Sequence, residues 1–574
     1  MKACMQAFRR CCCLQERMPD MSHSKTLGLS DIIGPIMVGP SSSHTAGALR
    51  IALMAHELMG RPPKEMRFTL YGSFAHTYRG HGTDRALVAG LLGFRPDDLR
   101  IRDSFEIARA QGISFDFQVD SKTKPRHPNT VDVWVRDAAG EVLSVRGESI
   151  GGGAARLTRV DGIKVEITGE YSAAIIYQQD MPGVLGFVAS TLGNAGINIG
   201  NSTILRERKG GLAYNVLEVD SAIPDEVQQV LLKDPRVLRI RFIPAFSLPE
   251  GAGAATPRYT PEEAQELFPK LDYQDGTSIL AHAYTCNISL GRAFLDREEL
   301  LLAMQGKDMS GTYAYLDRVL QVMRESVKAP LEHGMHTMGG LIGGEAHALM
   351  QLCAGDEESH PSDKLHQVFS GIFPKAAAYA MAVLETNASM GRIVAAPTAG
   401  SAGVLPGVIA ALNEAGDFSQ EELRDALANA AAIGYIVTRN ATVAGAEGGC
   451  QVEIGTASAM AASAATQLLG GSPQQCLAAA AIALTNLLGL VCDPVAGLVE
   501  EPCQKRNASA AANALVSCEL ALAGIHSTAF FDETVDALRR VGHSLPFELR
   551  ETALGGIATC ESCLESCRKA PLGS

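Results

Sequence analysis

The sequence comprises 574 residues, of which 46 % are apolar and 20 % are charged. This composition is ordinary for a soluble globular protein and excludes a globally disordered chain, and at roughly 150 residues per domain the length suggests about four domains. The 50 Lys and Arg residues against 63 Asp and Glu residues give a formal charge of −13. An acidic chain of this kind argues against a nucleic-acid partner, which would select a basic surface.

The N-terminal residues 1–21 contain two adjacent arginines and the cysteines Cys11–Cys13, but not the long apolar core of a secretory signal. We therefore expect a disordered extension here, while a role in organelle targeting or lipidation stays open. No segment reaches about 20 consecutive uncharged apolar residues, so no membrane association is expected. The sequence thus favours a cytoplasmic protein.

Residues 22–165 predict a mixed α/β domain. A helical pattern covers residues 45–58, whereas alternating and β-branched residues predict strands at 67–71, 113–119 and 131–136. Glycine and serine clusters separate these segments, as expected for turns.

Residues 170–245 predict a separate βαββαβ module of ferredoxin-like order. The predicted strands cover 173–177, 197–206, 213–219 and 237–242, and the predicted helices cover 183–194 and 225–232. A DMPG turn before the first helix and an NAGINI segment after it resemble the ACT domain, a regulatory family that often binds amino acids at paired-domain interfaces. The resemblance implies a ligand-binding face that includes Asp180, Gly183 and Asn198.

A segment rich in Pro, Gly and Ala at residues 246–260 predicts a linker. Residues 261–570 show helical patterns throughout and predict an all-helical domain. The predicted fold class is therefore a multidomain α+β protein with an α/β domain, a ferredoxin-like module and an all-α domain.

Three serines and a histidine share one loop before the first long helix. Ser41, Ser42, Ser43 and Thr45 offer hydroxyl groups, and a helix N-terminus offers backbone N–H groups, which together suit an anion such as a carboxylate. His44 can exchange protons near neutral pH. A helix cap with a turn is the alternative, although three serines and a histidine exceed what a cap needs.

Other loops carry further candidates, each weak alone because a histidine in a loop is more often a surface residue. His81 stands between glycines, and His127 stands close to Asn129. The loop that begins at Ser149 continues with three glycines, including Gly151 and Gly152, which allow a ligand to approach the backbone.

Three of the 14 cysteines, Cys450, Cys492 and Cys503, lie in segments punctuated by Gly or Pro. Their spacing matches neither a zinc ribbon nor a CxxC ferredoxin pattern, so spacing alone leaves a metal site open. The neighbouring Gly and Pro residues favour a backbone that bends around a bulky group. Three thiolates on a [4Fe–4S] cluster would leave one iron open as a Lewis acid.

Seven motifs occur in a fixed order: GPSSSHT, GHGTD, SIGGG, APTAGSAG, GCQ, CDPVAG and EPC. Together they resemble the iron–sulfur L-serine dehydratase (L-serine ammonia-lyase) family over residues 28–160 and 262–558. The resemblance implies a single-chain fusion of the small (beta) chain, an ACT domain and the large (alpha) chain.

The resemblance also implies roles for individual residues. Cys450, Cys492 and Cys503 match the cluster ligands, and His81 matches the general base. His44 is expected to be a second catalytic residue. The remaining loop residues match substrate-binding positions; these are Ser41, Ser42, Ser43, Thr45, His127, Asn129, Ser149, Gly151 and Gly152. Some members place a C-terminal cysteine on the open iron, and here Cys560, Cys563 and Cys567 lie in that region.

The sequence departs from the family pattern where many members have further cysteines, at positions held here by Ser401, Ala402 and Ala457. Because the three ligand cysteines are present, we still expect a [4Fe–4S] cluster. The implied reaction converts L-serine to pyruvate and ammonia, within serine catabolism that feeds pyruvate metabolism and gluconeogenesis. We also expect a homodimer.

Two alternatives are weighed. A pyridoxal phosphate enzyme performs the same reaction through a Schiff-base lysine, but no Ser-x-Lys stands beside a glycine-rich phosphate loop, so we expect no pyridoxal phosphate. The other alternative is an amino-acid sensor that combines an ACT domain with a non-catalytic dehydratase-like half. The intact thiols and histidines argue against it.

Overall fold

The structure is a computed structural model that describes residues 26–246, 257–354 and 370–569. These residues form two compact units: residues 43–246 form the α/β unit, and residues 26–42 together with 257–569 form the helical unit. The predicted N-terminal extension and residues 247–256 of the predicted linker lie outside the described residues, as do Cys11–Cys13.

The segment at residues 26–42 contains helix α1 (Leu29–Ile32) and strand β1 (Ile36–Val38), and it packs within the helical unit. The backbone N–H of Leu29 donates to the Glu298 carboxylate at 3.0 Å, and the Arg297 guanidinium donates to the carbonyl of Leu27 at 2.9 Å. The α/β unit therefore begins at Ser43, later than the predicted domain boundary at residue 22.

The first part of the α/β unit is built on a six-stranded sheet of order β3-β2-β4-β5-β6-β7. Strands β2 and β3 are parallel, and the other neighbours are antiparallel. In chain order the elements are α2 (Ala48–Met59), β2 (Pro63–Tyr71), α3 (Gly72–Thr77), α4 (Thr83–Leu91), α5 (Ser104–Ala110), β3 (Ser114–Asp120), β4 (Asn129–Asp137), β5 (Val142–Gly151), β6 (Ala154–Val160) and β7 (Ile163–Ile167).

The predicted α2, β2, β3 and β4 are present with shifted ends, whereas β5 to β7 are not among the predicted elements. Glycines interrupt the apolar alternation of β5 and weaken its strand pattern. A Cβ atom on Gly147 would lie 2.3 Å from Cγ2 of Ile51. This glycine therefore permits β5 to approach helix α2 closely.

The second part of the α/β unit is a βαββαβ module with strand order β11-β8-β10-β9. Its elements are β8 (Ser172–Gln179), α6 (Val184–Asn194), β9 (Ile199–Arg206), β10 (Leu212–Val219), α7 (Asp225–Leu232) and β11 (Val237–Ile243). Ile176 and Leu217 of the sheet pack against Val188, Leu192 and Leu231 of the two helices. The predicted order of elements is confirmed.

The other face of this module packs on the first part of the α/β unit. The guanidinium of Arg241 is buried and donates to the carbonyl of Leu58, at the last turn of α2, at 2.8 Å. The same group forms an ion pair of 3.2 Å with Asp161, which also accepts a hydrogen bond of 2.8 Å from the Tyr177 hydroxyl. The Arg241 side chain thus joins the module to helix α2. This helix follows residues Ser41–Thr45, which we call the serine loop.

The remainder of the helical unit consists mainly of helices. Its elements are α8 (Pro261–Leu271), α9 (Gly276–Cys286), α10 (Leu290–Ala303), α11 (Ser310–Glu332), α12 (Glu345–Ala354), α13 (Ile372–Ala388), β12 (Arg392–Val394), α14 (Val404–Gly416), α15 (Gln420–Asn440), α16 (Gly445–Gly448), α17 (Thr456–Leu468), α18 (Pro473–Asn486), α19 (Cys503–Leu522), α20 (Phe531–Ser544) and α21 (Glu561–Lys569). The prediction of a helical C-terminal domain is confirmed, with the addition of the short strand β12, which pairs antiparallel with β1.

Small residues set the close packing of these helices. A Cβ atom on Gly403 would lie 2.2 Å from the carbonyl oxygen of Ala380, so α13 and α14 meet nearly backbone to backbone. Side-chain caps start several helices; at α8 the Thr260 hydroxyl accepts from the Glu263 N–H, and the Glu263 carboxylate accepts from the Thr260 N–H. Among the helices that the structure describes, none combines the length and the hydrophobicity that crossing a membrane requires.

Candidate active site

His44 lies at the start of the α/β unit, in a π-helical turn (Ser42–Gly47) that leads into α2. Its side chain is fully buried. Nδ1 lies 2.9 Å from the Ser43 hydroxyl, and Nε2 lies 2.9 Å from the Ser73 hydroxyl. Because a neutral imidazole donates from one nitrogen and accepts at the other, both ring atoms are satisfied by these hydroxyls.

His81 packs edge-on against His44, with the ring centroids 4.4 Å apart and the ring planes at 74°. The Thr45 hydroxyl donates to the carbonyl of His81 at 2.6 Å and fixes the backbone there. Both ring nitrogens of His81 are buried and have no hydrogen-bond partner among the residues that the structure describes. A buried polar group without a partner is destabilising, so this imidazole is suited to a ligand that supplies one.

Burial sets the charge state of both imidazoles. It lowers the pKa of His81 to about 4. Burial also holds the pKa of His44 well below its usual range, and the neighbouring His81 lowers it further. Both rings are therefore neutral at pH 7, and His81 has a free nitrogen that can accept a proton.

His127 and Asn129 lie beside the end of β2. The backbone N–H of Asn129 donates to Nδ1 of His127 at 3.2 Å, and the N–H of Ser73 donates to the carbonyl of Pro128 at 2.8 Å. The side-chain oxygen of Asn129 is buried without a partner in the described structure. The segment around Asn129 is thus attached to Ser73, which in turn contacts His44.

Ser149 contacts the serine loop directly, since its hydroxyl donates to the carbonyl of Ser43 at 2.7 Å. The glycines that follow form the turn between β5 and β6. Gly151 and Gly152 have φ values of +100° and +58°, and a Cβ atom on either would meet nothing within 4 Å. The positive φ values of this turn favour glycine, and the space beside both residues is open.

The first two serines of the loop belong to the helical unit. Ser41 and Ser42 are both buried, and the preceding carbonyl of Pro40 accepts a hydrogen bond of 3.4 Å from the Asn387 side chain. The Asn387 side chain therefore anchors the loop before Ser41, and Ser149 anchors it after Ser42.

The three predicted ligand cysteines all lie in the helical unit, and all three are buried. The Sγ atoms of Cys450 and Cys492 and a carboxylate oxygen of Glu453 lie within 4.8 Å of one another. The Arg506 guanidinium donates to Sγ of Cys450 at 3.6 Å. Sequence reasoning missed Glu453, although its position three residues after Cys450 is a usable signal.

Backbone contacts hold these thiols in place. Gly449, at φ +75°, precedes Cys450, and a Cβ atom there would lie 2.6 Å from Leu545 and 3.0 Å from the carbonyl oxygen of Leu490. Cys492 donates from its N–H to the carbonyl of Leu549 and accepts from the N–H of Glu551, each at 2.9 Å. Cys503 is the first residue of α19.

In the cluster formed by Cys450, Cys492, Cys503 and Glu453, the carboxyl group and the thiols of Cys492 and Cys503 favour their protonated forms. A hydrogen bond with Cys450 and burial raise the pKa of the Cys492 thiol, and burial and the charge of Cys450 raise that of Cys503. Burial raises the pKa of Glu453 to about 7. A cation would displace these protons, because metal ligands bind as thiolates and carboxylates. Soft thiols of this kind fit an iron–sulfur cluster or zinc.

The predicted regulatory residues lie at loop ends of the βαββαβ module. Asp180 pairs with Arg206 at 3.1 Å, and Gly183 precedes α6 at φ +88°. The Asn198 side chain donates to Asp220 at 2.8 Å. Gly183 and Asn198 are exposed and therefore accessible to a ligand.

The C-terminal cysteines lie at α21. Cys560 is exposed and Cys563 is half-buried, while the side chain of Cys567 lies outside the described part of the chain.

Two family models match the sequence. The serine dehydratase beta chain matches residues 31–159, and the serine dehydratase alpha chain matches residues 262–558, more than half of the chain. The chain belongs to the serine dehydratase family. The two matches place the beta and alpha parts of this serine dehydratase on one polypeptide, as predicted, with the βαββαβ module between them.

Curated relatives agree with this organisation. An L-serine dehydratase of Streptomyces coelicolor (strain ATCC BAA-471 / A3(2) / M145) is 30 % identical over 537 residues, which cover 91 % of this serine dehydratase and 96 % of the relative. The probable L-serine dehydratase alpha chain of Bacillus subtilis (strain 168) is 44 % identical, covering 44 % of this chain and 81 % of its own. The probable L-serine dehydratase beta chain of the same organism is 42 % identical, and the match covers 37 % of this chain and 96 % of the relative.

Proposed function

We propose that this serine dehydratase converts L-serine to pyruvate and ammonia. The observation that carries the proposal is the buried, neutral imidazole of His81, whose two ring nitrogens have no partner in the described structure. Relatives that match more than nine-tenths of the chain are named L-serine dehydratase, which supports the choice of substrate.

The reaction must remove the α-proton of serine and expel its hydroxyl group. His81 accepts the α-proton at a ring nitrogen, a contribution of roughly 10²–10⁴-fold to the rate. Its low pKa keeps it unprotonated before substrate arrives. A bound carboxylate nearby then favours the protonated ring, so substrate binding makes His81 a stronger base.

The serine loop binds the substrate carboxylate. The hydroxyls of Ser41–Ser43 and Thr45 and the N–H groups at the start of the helix are the donors for it. His44, held between Ser43 and Ser73, orients this loop. His127, Asn129 and the turn with Gly151 and Gly152 complete the proposed substrate contacts.

Cys450, Cys492 and Cys503 would hold a [4Fe–4S] cluster, since three buried soft ligands with further polar groups fit it. When bound, the cluster supplies a Lewis-acidic iron that weakens the bond to the leaving hydroxyl. No pyridoxal phosphate takes part. The aminoacrylate product tautomerises and hydrolyses to pyruvate and ammonia.

The βαββαβ module is proposed to be an ACT domain that regulates the enzyme. L-serine is the simplest effector, because it makes the enzyme respond to excess substrate, with a coupling on the order of 1–3 kcal/mol. Asp180, Gly183 and Asn198 are the proposed effector contacts. We further propose a cytoplasmic homodimer that feeds serine carbon into pyruvate metabolism and gluconeogenesis.

The test is an assay of anaerobically purified protein with L-serine, measuring pyruvate and ammonia, with D-serine as the control. Equimolar pyruvate and ammonia from L-serine, without added pyridoxal phosphate, is the expected result. A preparation with full iron content that forms no pyruvate, or one that needs pyridoxal phosphate, contradicts the proposal.

A further inference from the structure

Arg506 is a charged side chain in the cysteine cluster that the proposed reaction does not use. It lies on α19, three residues after Cys503. One guanidinium nitrogen, Nη1, donates to Sγ of Cys450 at 3.6 Å and to the carbonyl of Val491 at 2.7 Å. The other, Nη2, donates to Oδ1 of Asp493 at 2.8 Å.

The guanidinium is held rigidly in this position. Only 17 % of the Arg506 side chain and 2 % of the Asp493 side chain are exposed. The second carboxylate oxygen of Asp493 accepts from the N–H of Ile557 at 2.8 Å, and a Cβ atom on Gly556 would lie 2.1 Å from it. Since Asp493 is fixed from both sides, Arg506 cannot turn away from Cys450 without breaking these bonds.

Arg506 also supplies positive charge where negative charge would accumulate. The same cluster contains Cys492 and the carboxyls of Glu453 and Glu551. Three ligand thiolates form an anionic site, which a buried guanidinium stabilises.

We propose that Arg506 is a positioning residue for the iron–sulfur cluster, holding an N–H···S hydrogen bond on its ligand Cys450 and stabilising the more reduced state. The inference rests on the proposed cluster at Cys450, Cys492 and Cys503. Hydrogen bonds to ligand sulfur and nearby charge set cluster potentials. Loss of such outer contacts typically weakens metal binding roughly 10–100-fold.

The test compares Arg506→Met, which removes charge and donors, with Arg506→Lys, which retains the charge without the planar fork. Lys505→Met is the matched control, because Lys505 is the neighbouring cation on α19, has a side chain that is about half exposed and pairs with Glu501. Iron and sulfide per chain, the rate of iron loss in air and the reduction potential are measured on full-length protein purified without oxygen. Circular dichroism reports folding.

Iron loss in air is expected to be roughly 10–100-fold faster in Arg506→Met, with a more negative reduction potential, while Lys505→Met matches the wild type. Arg506→Lys is expected to lose iron faster than the wild type and more slowly than the Met variant. Equal iron loss and equal potential in wild type and both Arg506 variants overturn the inference while the cluster stands. A wild type without iron instead overturns the proposed cluster. If Arg506→Met does not fold, a Lys variant that matches the wild type still overturns the hydrogen bond.

Discussion

The hydroxyl of Ser149 donates a hydrogen bond of 2.7 Å to the carbonyl of Ser43, which precedes it by 106 residues. This contact depends on Gly47, because a Cβ atom there would lie 2.0 Å from the Ser149 oxygen. Strand β5 of the α/β unit therefore holds the serine loop, and the absence of a side chain at position 47 leaves room for Ser149.

Gly47→Ala is expected to destabilise the protein by about 1–3 kcal/mol, because a methyl group is forced into the space of the Ser149 side chain. Thermal unfolding measures the loss. Gly186→Ala on the exposed side of α6 is the control, since nothing lies within 4 Å of its Cβ position, and it should be neutral or raise stability by up to about 1 kcal/mol. In the double variant Gly47→Ala/Ser149→Ala the cost should be less than the sum of the two single costs; strict additivity would contradict the contact.

His81→Asn is expected to lower the rate of pyruvate formation by roughly 10²–10⁴-fold while iron content stays at the wild-type level, since the imidazole moves a proton and holds no metal in this account. His76→Asn is the control, because His76 is exposed on the neighbouring helix α3. An active His81→Asn enzyme would exclude His81 as the base.

The buried imidazole of His81 makes the stability of the protein depend on pH. The pKa of His81 is about 4 in the folded chain and about 6.5 when unfolded. The unfolded chain therefore binds more protons between these values, and stability falls as the pH is lowered from about 6.5 to about 4, by up to about 3 kcal/mol. The thermal midpoint of His81→Asn should fall less steeply than that of the wild type over this window. Parallel curves would show that His81 titrates normally.

Gly183→Asp and Asn198→Ala are expected to change the dependence of velocity on serine concentration without loss of iron, because both positions lie at exposed loop ends of the βαββαβ module, far along the chain from the cysteines. Asn201→Ala on strand β9 is the control, because Asn201 is exposed and its side chain donates a hydrogen bond of 3.3 Å to Glu218. If curve shape and half-saturation are unchanged in both variants, the module is structural.

Much of the fold follows from local sequence patterns. The βαββαβ order is predictable because each element carries its own periodicity and its own turn residues. The pairing of β1 with β12 is not, because strands of three residues more than 350 positions apart leave no local pattern. That pairing places residues 26–42 with the helical unit.

The candidate site also has some features that the sequence predicts and others that it does not. Cys450 and Cys492 are predictable from their Gly and Pro neighbours, and the structure brings their sulfur atoms close together. The hydrogen bond between Ser73 and His44 depends on where β2 ends, so no spacing in the sequence indicates it. Arg241 follows an alternating strand pattern that suggests exposure, yet its guanidinium is buried against α2.

Three cysteines are proposed to hold the cluster that L-serine dehydration needs. Iron, sulfide and pyruvate formation are measured together, without oxygen, in the wild type and in Cys450→Ser, Cys492→Ser and Cys503→Ser. Cys476→Ser and Cys518→Ser are matched controls, since both thiols are buried in helices outside the cluster.

We expect about the same iron content and activity in the wild type and both controls. Each of the three ligand variants should lose iron and pyruvate formation together. Full iron occupancy in any one of the ligand variants would contradict this expectation.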